Sequence, residues 1–343
     1  MFSRISNKIG HFRTVQRRWE RFRKDLEFYD RNVGSVEPTS RTRIDLKAFS
    51  KVVQIVEIEP HNFCNRTCSF CGNSMLDRKS KMIPMADSVF KSILASLSSI
   101  NYNKEIRFAR YSEPMAREEI FKIISMARAS CPDSYLKIIT NGDYLNPKSF
   151  HRLKEAGLNR VHVSVYLPNK VAWSKPEATK YINRFVTRVD GSLKTITTGP
   201  GVVEGAMEFP GMAITFNCVN YGDQGFDRGE EIVDLIDHEF IRIDPCQQIF
   251  RNVTIDFDGT VMPCCNLRGD DPGHAKYILG KITDDRDLFD IWYGDKAHAW
   301  RKDLSSFGQK QSPCRSCTQL TLGPVNQAIT RLNWARYPLR RGG

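Results

Sequence analysis

The chain has 343 residues, of which 41% are hydrophobic, and its formal charge is +12. This length is sufficient for one large α/β domain with a smaller appendage. No apolar run approaches the roughly 18 residues needed to cross a bilayer, and the N-terminus lacks the apolar core of a secretory signal. We therefore expect a cytoplasmic protein.

Half of the excess positive charge lies in residues 1–50, which contain 12 Lys or Arg against 6 Asp or Glu. Apolar residues recur there at spacings of three and four, which predicts one long amphipathic helix over 2–29, followed by a polar linker. Its apolar face can dock on the protein body, lie on a membrane surface as a peripheral contact, or pair with a partner helix. Docking is the preferred interpretation. A second basic segment forms the tail, 331–343.

Between residues 51 and 240, predicted strands alternate with predicted helices. The strands are predicted at 52–60, 105–111, 135–140, 160–166 and 212–219. The helices are predicted at 85–100, 116–130, 146–157, 176–189 and 230–238. This alternation indicates βαβ units and a parallel sheet. Five strands are too few for an eight-fold barrel, so we predict an α/β partial barrel or open sheet with ligands at the carboxyl ends of the strands.

The pattern changes again over residues 241–330. Residues 252–265 predict a β-hairpin that turns at Asp258-Gly259. A helix is predicted at 287–304, and a tight, cysteine-rich loop follows at 312–317. The predicted organisation is therefore an N-terminal helix and linker (1–50), a core (51–240), an extension (241–330) and a basic tail (331–343).

Ten cysteines lie in this chain, and no export signal accompanies them. A disulfide framework is not expected in a large protein of a reducing compartment, where clustered cysteines indicate metal or redox chemistry. The first cluster directly follows the first predicted strand. It consists of Cys64, Cys68 and Cys71 at C-x3-C-x2-C spacing.

Three closely spaced thiolates favour an iron–sulfur cluster over zinc, because a structural zinc site normally has four protein ligands. A [4Fe–4S] cluster held by three cysteines leaves one iron open to a substrate or cofactor. The alternative is a Cys3His zinc site that includes His61. The spacing argues against it, since zinc motifs usually place their ligands in separated pairs.

The C-x3-C-x2-C motif after the first strand, with Phe70 before its last cysteine, resembles the radical S-adenosylmethionine (SAM) superfamily. The resemblance implies a partial (β/α)6-type barrel whose cluster binds SAM. It also implies reductive cleavage of SAM to a 5′-deoxyadenosyl radical, which abstracts a hydrogen atom from an unactivated C–H bond.

Further positions are similar to SAM-binding positions of that family. Ser112, Glu113 and Pro114 stand where it has Gly-Gly-Glu-Pro, although the two glycines are replaced here. Asn141 lies in a Thr-Asn-Gly segment, and Ser164 falls where a polar residue often meets SAM. For these residues a helix cap or a loop hydrogen bond is the competing interpretation.

A second cysteine cluster occupies the extension. Two of its cysteines flank the hairpin and two form a C-x2-C pair; this spacing suits either zinc or a fully ligated [4Fe–4S] cluster. Together with the core, the pattern resembles the SPASM extension in its shortened, "twitch" form. The resemblance implies one auxiliary [4Fe–4S] cluster, so that two clusters are expected in all. Its implied ligands are Cys246, Cys264, Cys314 and Cys317.

Three cysteines remain. Cys131 and Cys218 are expected to be buried as small apolar residues. Cys265 would lie beside the auxiliary cluster, and radical SAM epimerases return a hydrogen atom from a cysteine thiol. We predict that Cys265, or failing that Cys218, acts as such a donor; the competing interpretation is that Cys265 only fills space.

The predicted function is dehydrogenation or epimerisation of a sugar, polyol or aminocyclitol by a radical SAM oxidoreductase. A peptide maturase or epimerase is the alternative, and a non-enzymatic zinc protein is the alternative of another class. A reductant such as flavodoxin or ferredoxin is the expected partner. Nucleic acid is not expected, because no aromatic-rich basic strand face is found. Charged residues at 223, 227 and 228 are predicted at the mouth of the site.

Overall fold

The computed structural model describes residues 43–236, 239–319 and 321. The helix predicted at 2–29 and the basic tail lie outside these residues. The first helices and strands are α1 (Arg43–Val52), β1 (Ile55–Ile58), α2 (Asp87–Ser99), β2 (Glu105–Phe108), α3 (Glu119–Ser130), β3 (Tyr135–Thr140), α4 (Pro147–Glu155), β4 (Arg160–Ser164) and α5 (Lys175–Arg188). Three strands and a short helix follow: β5 (Leu193–Gly199), β6 (Val202–Met207), β7 (Ala213–Val219) and α6 (Tyr221–Gln224). The last group is α7 (Gln248–Arg251), β8 (Asn252–Ile255), β9 (Thr260–Met262), β10 (Gly280–Lys281), α8 (Leu288–Trp292) and α9 (Asp295–Leu304).

All ten described strands belong to one sheet, in the order β10-β9-β8-β1-β2-β3-β4-β7-β6-β5. The six central strands, from β8 to β7, are parallel. Antiparallel hairpins extend the sheet at both ends. The predicted α/β fold with a parallel sheet is confirmed. The hairpin of the extension joins the same sheet through β8, which pairs with β1 from Ile55↔Asn252 to Ile58↔Ile255.

Local sequence signals explain where several helices begin. Asn146 and Ser149 form a reciprocal capping box at α4, with Pro147 at the first helical position. The Ser174 hydroxyl accepts a hydrogen bond from the Glu177 amide at the start of α5. The apolar faces of these helices pack on the sheet and form the core. No described helix is both long enough and apolar enough to cross a membrane.

The prediction of a helix at 230–238 is wrong for the described residues 230–236. Only a short 3-10 turn is present, Val233–Leu235. Glu230 has a left-handed backbone with a φ of 73°, and the Glu231 carboxylate forms a buried ion pair with Arg268. These tertiary contacts override the helical periodicity, which rests on few residues.

The β5–β6 hairpin and the α1 helix are the largest elements that were not predicted. Residues 193–207 form the β5–β6 hairpin, which turns at Pro200-Gly201, where Gly201 has a φ of 64°. Its first strand is almost entirely exposed, so the strand lacks the apolar alternation that marks a half-buried strand. The α1 helix occupies part of the predicted linker, because Phe49 and Val52 pack into the core. The helix predicted at 287–304 is interrupted at Gly294, which separates α8 from α9.

Candidate active site

A cavity of about 200 Å³ opens where the parallel strands end. We call it the cysteine cavity, because the predicted cysteine triad contributes to its wall. Loops after β1, β2 and β3 supply most of the lining, as expected for ligand sites at the carboxyl ends of parallel strands. Its lining residues include Glu57, Cys64, Cys68, Phe70, Cys71, Arg110, Ser112, Glu113, Asn141, Arg228 and Cys265.

Hydrogen bonds hold the triad loop in place. The Cys71 amide donates to the Cys68 carbonyl at 3.0 Å, and the Cys64 amide donates to the Arg78 carbonyl at 3.1 Å. Arg66 binds both carboxylate oxygens of Asp143 at 2.6 and 2.7 Å, which ties the loop to the one after β3. The loop is therefore fixed by contacts that do not use the three thiols.

Burial raises the pKa of Cys64 to about 11 and that of Cys68 to about 12. The charge of Cys71 raises the pKa of both thiols further. Buried thiols in this state are neutral at pH 7, whereas metal ligation requires thiolates. Loading such a site must therefore release protons, and the bound iron compensates for the negative charge.

Among the described residues, only Glu231, Asp271 and His274 form a group of three whose ligand atoms all lie within 4.8 Å of one another; no three cysteines do. The preference for a cluster over zinc at the triad therefore rests on the number of cysteines, because a structural zinc site normally has four protein ligands.

His61 is not a fourth ligand of the triad. It lines a different cavity, of about 260 Å³, together with apolar residues of α2 and α3. Its Nδ1 atom accepts a hydrogen bond from the Phe63 amide at 3.1 Å. Burial, with the charge of Arg117 next in size, lowers the pKa of His61 to about 4. The Cys3His alternative therefore has no support in the geometry. Pro114 also lines this second cavity and not the cysteine cavity.

Glu113 joins the loops that follow β2 and β3. Its carboxylate accepts hydrogen bonds from the Thr140 hydroxyl and the Asn141 amide, both at 2.6 Å, and from the Met115 amide at 3.0 Å. Burial raises the pKa of Glu113 to about 7, although these hydrogen bonds oppose the shift. Glu113 is thus both a cap of the turn at Pro114–Ala116 and part of the cavity wall.

The other predicted SAM-binding residues differ in their positions. Ser112 and Asn141 line the cavity, and the Asn141 amide group donates to Asn65 at 2.8 Å. Ser164 is buried at the end of β4 and does not line the cavity, whereas Tyr166, two residues further along the chain, does.

Phe70 belongs to an aromatic wall that we define as Phe70, Tyr166 and Tyr221. The Phe70 and Tyr221 rings are stacked with centroids 3.8 Å apart, and Tyr166 lies 5.3 Å from Phe70. Sequence reasoning found only Phe70. Two members of the wall, Phe70 and Tyr166, line the cavity together with the triad.

The four cysteines predicted for the auxiliary cluster come together in the fold. Besides burial, the charges of Cys246 and Cys317 raise the pKa of the Cys314 thiol. Those of Cys314 and Cys317 likewise raise the pKa of the Cys264 thiol. Burial raises the pKa of all three of Cys264, Cys314 and Cys317. The Asn266 amide donates to the Cys264 sulfur at 3.4 Å, which is the kind of contact that tunes a cluster.

The adjacent cysteines 264 and 265 have different surroundings. Cys264 belongs to the auxiliary set, whereas Cys265 lines the cysteine cavity. Burial raises the pKa of Cys265, so its thiol is protonated at pH 7. Cys131 and Cys218 are buried in the core, and neither lines the cavity. The geometry therefore gives Cys218 no access to a ligand there.

Of the three charged residues predicted at the mouth, only Arg228 lines the cavity. Asp227 is buried, and it accepts a hydrogen bond from the Ser316 hydroxyl at 2.5 Å. Asp223 is exposed and pairs with Asn220 at 2.7 Å. Asp227 therefore supports the loop of the C-x2-C pair, because a short carboxylate–hydroxyl bond fixes that loop.

Sequence reasoning missed several polar groups of the cavity, among them Arg110 and Glu57, whereas it predicted Arg228 at the mouth. Arg110 forms an ion pair with Asp256, yet its Nε and Nη1 atoms are buried and make no hydrogen bond among the described residues. The Nε atom of Arg228 is also buried and makes no hydrogen bond among the described residues. Because both arginines line the cavity, their guanidinium groups suit a ligand with acceptor atoms. Together with the thiol set, these groups fit a cluster with SAM.

Comparison with known proteins agrees with this geometry. A family model for the radical SAM superfamily matches residues 58–196, and one for the SPASM iron–sulfur cluster-binding domain matches residues 246–318. The chain is 23% identical, over 81% of its length and 97% of the relative, to an S-adenosyl-L-methionine-dependent 2-deoxy-scyllo-inosamine dehydrogenase from Niallia circulans. A GTP 3′,8-cyclase from Clostridium acetobutylicum is 30% identical over 41% of this chain and 44% of its own.

A solved structure shares the fold. It is that of BtrN in complex with AdoMet and 2-DOIA, which matches with a TM-score of 0.53 and 22% identity over 75% of this chain and 88% of its own. The two family models cover both predicted cysteine clusters. The chain therefore carries a radical SAM domain over residues 58–196 and a C-terminal SPASM iron–sulfur cluster-binding domain over residues 246–318.

Proposed function

We propose that this enzyme dehydrogenates a secondary alcohol of a small polyol, sugar or aminocyclitol. The observation that carries the proposal is a cavity that has both the cysteine triad and Cys265 in its wall. Cys265 is the chain neighbour of Cys264, which belongs to the second cysteine set. An electron acceptor would therefore stand one residue away from the substrate site.

We assign the following roles to residues of the chain. Cys64, Cys68 and Cys71 hold the first cluster, and Ser112, Glu113 and Asn141 bind SAM at the ends of neighbouring strands. Cys246, Cys264, Cys314 and Cys317 hold the auxiliary cluster. When bound, SAM with its cluster supplies a 5′-deoxyadenosyl radical that removes a hydrogen atom from an unactivated C–H bond.

The chemistry of the wall favours a small polyhydroxylated substrate over a peptide. Arg110 and Arg228 contribute guanidinium groups to the wall, while Glu57 contributes a carboxylate. A ring with several hydroxyls satisfies both kinds of group, since each hydroxyl both donates and accepts. The curated relative named for an inosamine points to the same substrate class.

Epimerisation is the second candidate, because the Cys265 thiol lines the cavity and can return a hydrogen atom to the substrate radical. Peptide maturation is retained as an outcome of the test. We further propose a flavodoxin or ferredoxin as the reductant and the cytoplasm as the compartment. Peripheral membrane contact by residues 2–29 remains part of the proposal.

The test uses anaerobically reconstituted enzyme with SAM, reductant and either 2-deoxy-scyllo-inosamine or a panel of related polyols. Dehydrogenation predicts a ketone and 5′-deoxyadenosine in equal amounts. An epimer that carries solvent deuterium at one carbon would instead establish epimerisation, and Cys265→Ala should then abolish it. Turnover of peptides but of no polyol would contradict the small-molecule proposal.

A further inference from the structure

The cavity wall contains one carboxylate whose acceptor capacity is not used. Two acidic residues, Glu57 and Glu113, line the cavity. Both oxygens of Glu113 accept hydrogen bonds from the chain. Glu57 makes no hydrogen bond through its side chain among the described residues, although it is only 6% exposed. A buried carboxylate in this state is normally hydrogen-bonded, so its partner is expected to be a ligand.

Glu57 stands in a row of charged residues that crosses the sheet. It pairs in register with Arg107 on β2, and Arg107 pairs with Lys137 on β3. Residues in register on neighbouring parallel strands point to the same face. Strands of a parallel sheet are usually apolar on both faces, so this row is unusual and marks the face that contacts the cavity.

Arg107 lies close to the Glu57 carboxylate but leaves its acceptor positions available. Arg107 Nη1 lies 3.5 Å from Glu57 Oε1, too far for a good hydrogen bond, while Arg107 Nε donates to Glu105 at 2.6 Å. The arginine is therefore bound mainly by Glu105. Glu57 retains lone pairs that face the cavity.

The other titratable groups that line the cavity are already protonated or already have partners. Arginines remain protonated in proteins, which excludes Arg66, Arg110 and Arg228. Burial keeps Tyr111, Tyr166 and Cys265 in their protonated forms by raising the pKa of each. Both oxygens of Glu113 accept hydrogen bonds from the chain, and the triad thiols are assigned to the cluster.

We infer that Glu57 accepts the hydroxyl proton of the substrate during dehydrogenation. This inference rests on the proposed function. After a hydrogen atom has left the carbinol carbon, the O–H bond breaks and its proton bonds to the Glu57 carboxylate. One electron leaves the substrate to an oxidised iron–sulfur cluster of the auxiliary cysteine set, and the C=O double bond forms. The substrate thereby loses two protons and two electrons in total, one of each as the hydrogen atom.

The test compares Glu57→Gln with Glu105→Gln in cluster-loaded enzyme. Both variants remove a negative charge beside Arg107, but only Glu57 lines the cavity. With Glu57→Gln we expect ketone formed per 5′-deoxyadenosine to fall at least about tenfold, since general-base catalysis is worth roughly 10²–10⁴-fold. Glu105→Gln should stay within about threefold of the wild type.

Two readouts other than turnover accompany the comparison. Substrate affinity, measured by calorimetry with SAM but no reductant, should change less than about tenfold, because the glutamine still offers a hydrogen bond. A substrate-centred radical should accumulate in the electron paramagnetic resonance spectrum of Glu57→Gln. An unchanged ketone ratio in that variant, or an equal loss in both variants, would overturn the role of Glu57. If the wild type yields no ketone from any polyol, the proposed function fails instead.

Discussion

Three backbone positions around the cavity have a left-handed conformation: Arg110 with a φ of 82°, Gly142 with 80° and Arg228 with 52°. Such conformations cost of order 1–3 kcal/mol for residues other than glycine, and they persist only where the surroundings enforce them. The two arginines are also the residues with unpaired donors in the cavity. Backbone strain and unsatisfied polar groups thus coincide at the site, which is typical of functional positions.

Gly142 ends the Thr-Asn-Gly segment, and a side chain there would disturb the loop. A Cβ atom at this position would lie 2.7 Å from Val163 Cγ1 and 3.1 Å from the Phe185 ring. We expect Gly142→Ala to lower the free energy of unfolding by about 1–3 kcal/mol and to weaken SAM binding. Urea unfolding and calorimetric titration with SAM measure the two effects.

Gly211→Ala is the matched control for this variant. Gly211 has a φ of 73°, but it is exposed and a Cβ there would meet only the flexible end of Lys154. It shares the backbone strain without the clash at the cavity. Equal loss of SAM affinity in both variants would show that the effect is global and does not arise from the loop.

His162 makes stability depend on pH. Burial, followed by the charges of Lys137 and Arg160, lowers its pKa from 6.5 to about 4. The unfolded chain therefore binds a proton between pH 6.5 and 4 that the folded chain does not, so stability falls as the pH drops through this range. Between pH 7.5 and 5.5 we expect His162 to account for a loss of about 1 kcal/mol.

The measurement compares the wild type with His162→Gln by anaerobic urea unfolding at both pH values. The glutamine can keep a hydrogen bond to Thr215, which lies 3.0 Å from His162 Nδ1. The variant should lose less stability on acidification than the wild type. An identical pH dependence would mean that His162 does not titrate differently on folding.

At the scale of elements, the α1 helix and the α8 helix are joined by an aromatic cluster. Phe49 of α1 is fully buried, and its ring centroid lies 5.1 Å from those of Phe289 and Trp292 in edge-on arrangements. Tyr102 completes the contact at 6.1 Å. The first and last parts of the described chain therefore share one piece of core.

Phe49→Ala removes the centre of this cluster. We expect a loss of about 3–5 kcal/mol in the free energy of unfolding, because a large buried side chain is replaced by a cavity. Phe49→Leu should cost clearly less, since it retains most of the volume. Urea unfolding measures both. Equal, small effects would indicate that α1 is not packed as described.

At the scale of the whole molecule, buried ion pairs connect the core with the extension across the shared sheet. Arg78 binds Glu59 at 2.6 Å and Asp270 at 2.7 Å, and Arg110 pairs with Asp256. Such pairs are costly to break, because removal of one partner leaves a buried charge. The two cysteine sets are therefore held on one continuous scaffold, with Cys265 lying between them.

Separate cysteine variants test whether the two sets hold separate clusters. The wild type should contain about eight irons per chain, and either Cys68→Ala or Cys317→Ala should contain about four. Cys317→Ala should still cleave SAM but lose product formation, whereas Cys68→Ala should lose both. Iron and labile-sulfide analysis measures the loading, and zinc without labile sulfide in the wild type would contradict both assignments.

Sequence by itself determined the alternation of strands and helices, the two cysteine clusters and the family. These features depend on local periodicity and on spacing within short segments, both of which can be read along the chain. A signal for Glu57 was also present, since β1, β2 and β3 each carry a charged residue within an apolar strand. The face to which these residues point could not be read locally.

Only the tertiary structure decided which residues share the cavity. It placed Cys265 and Glu57 in the wall of one cavity, assigned His61 and Pro114 to another cavity, and placed β8 beside β1. It also replaced the predicted helix at 230–236 with a turn. The physical reason is that strand pairing and burial join residues some 200 positions apart, and their energies exceed the local propensities that a sequence pattern reports.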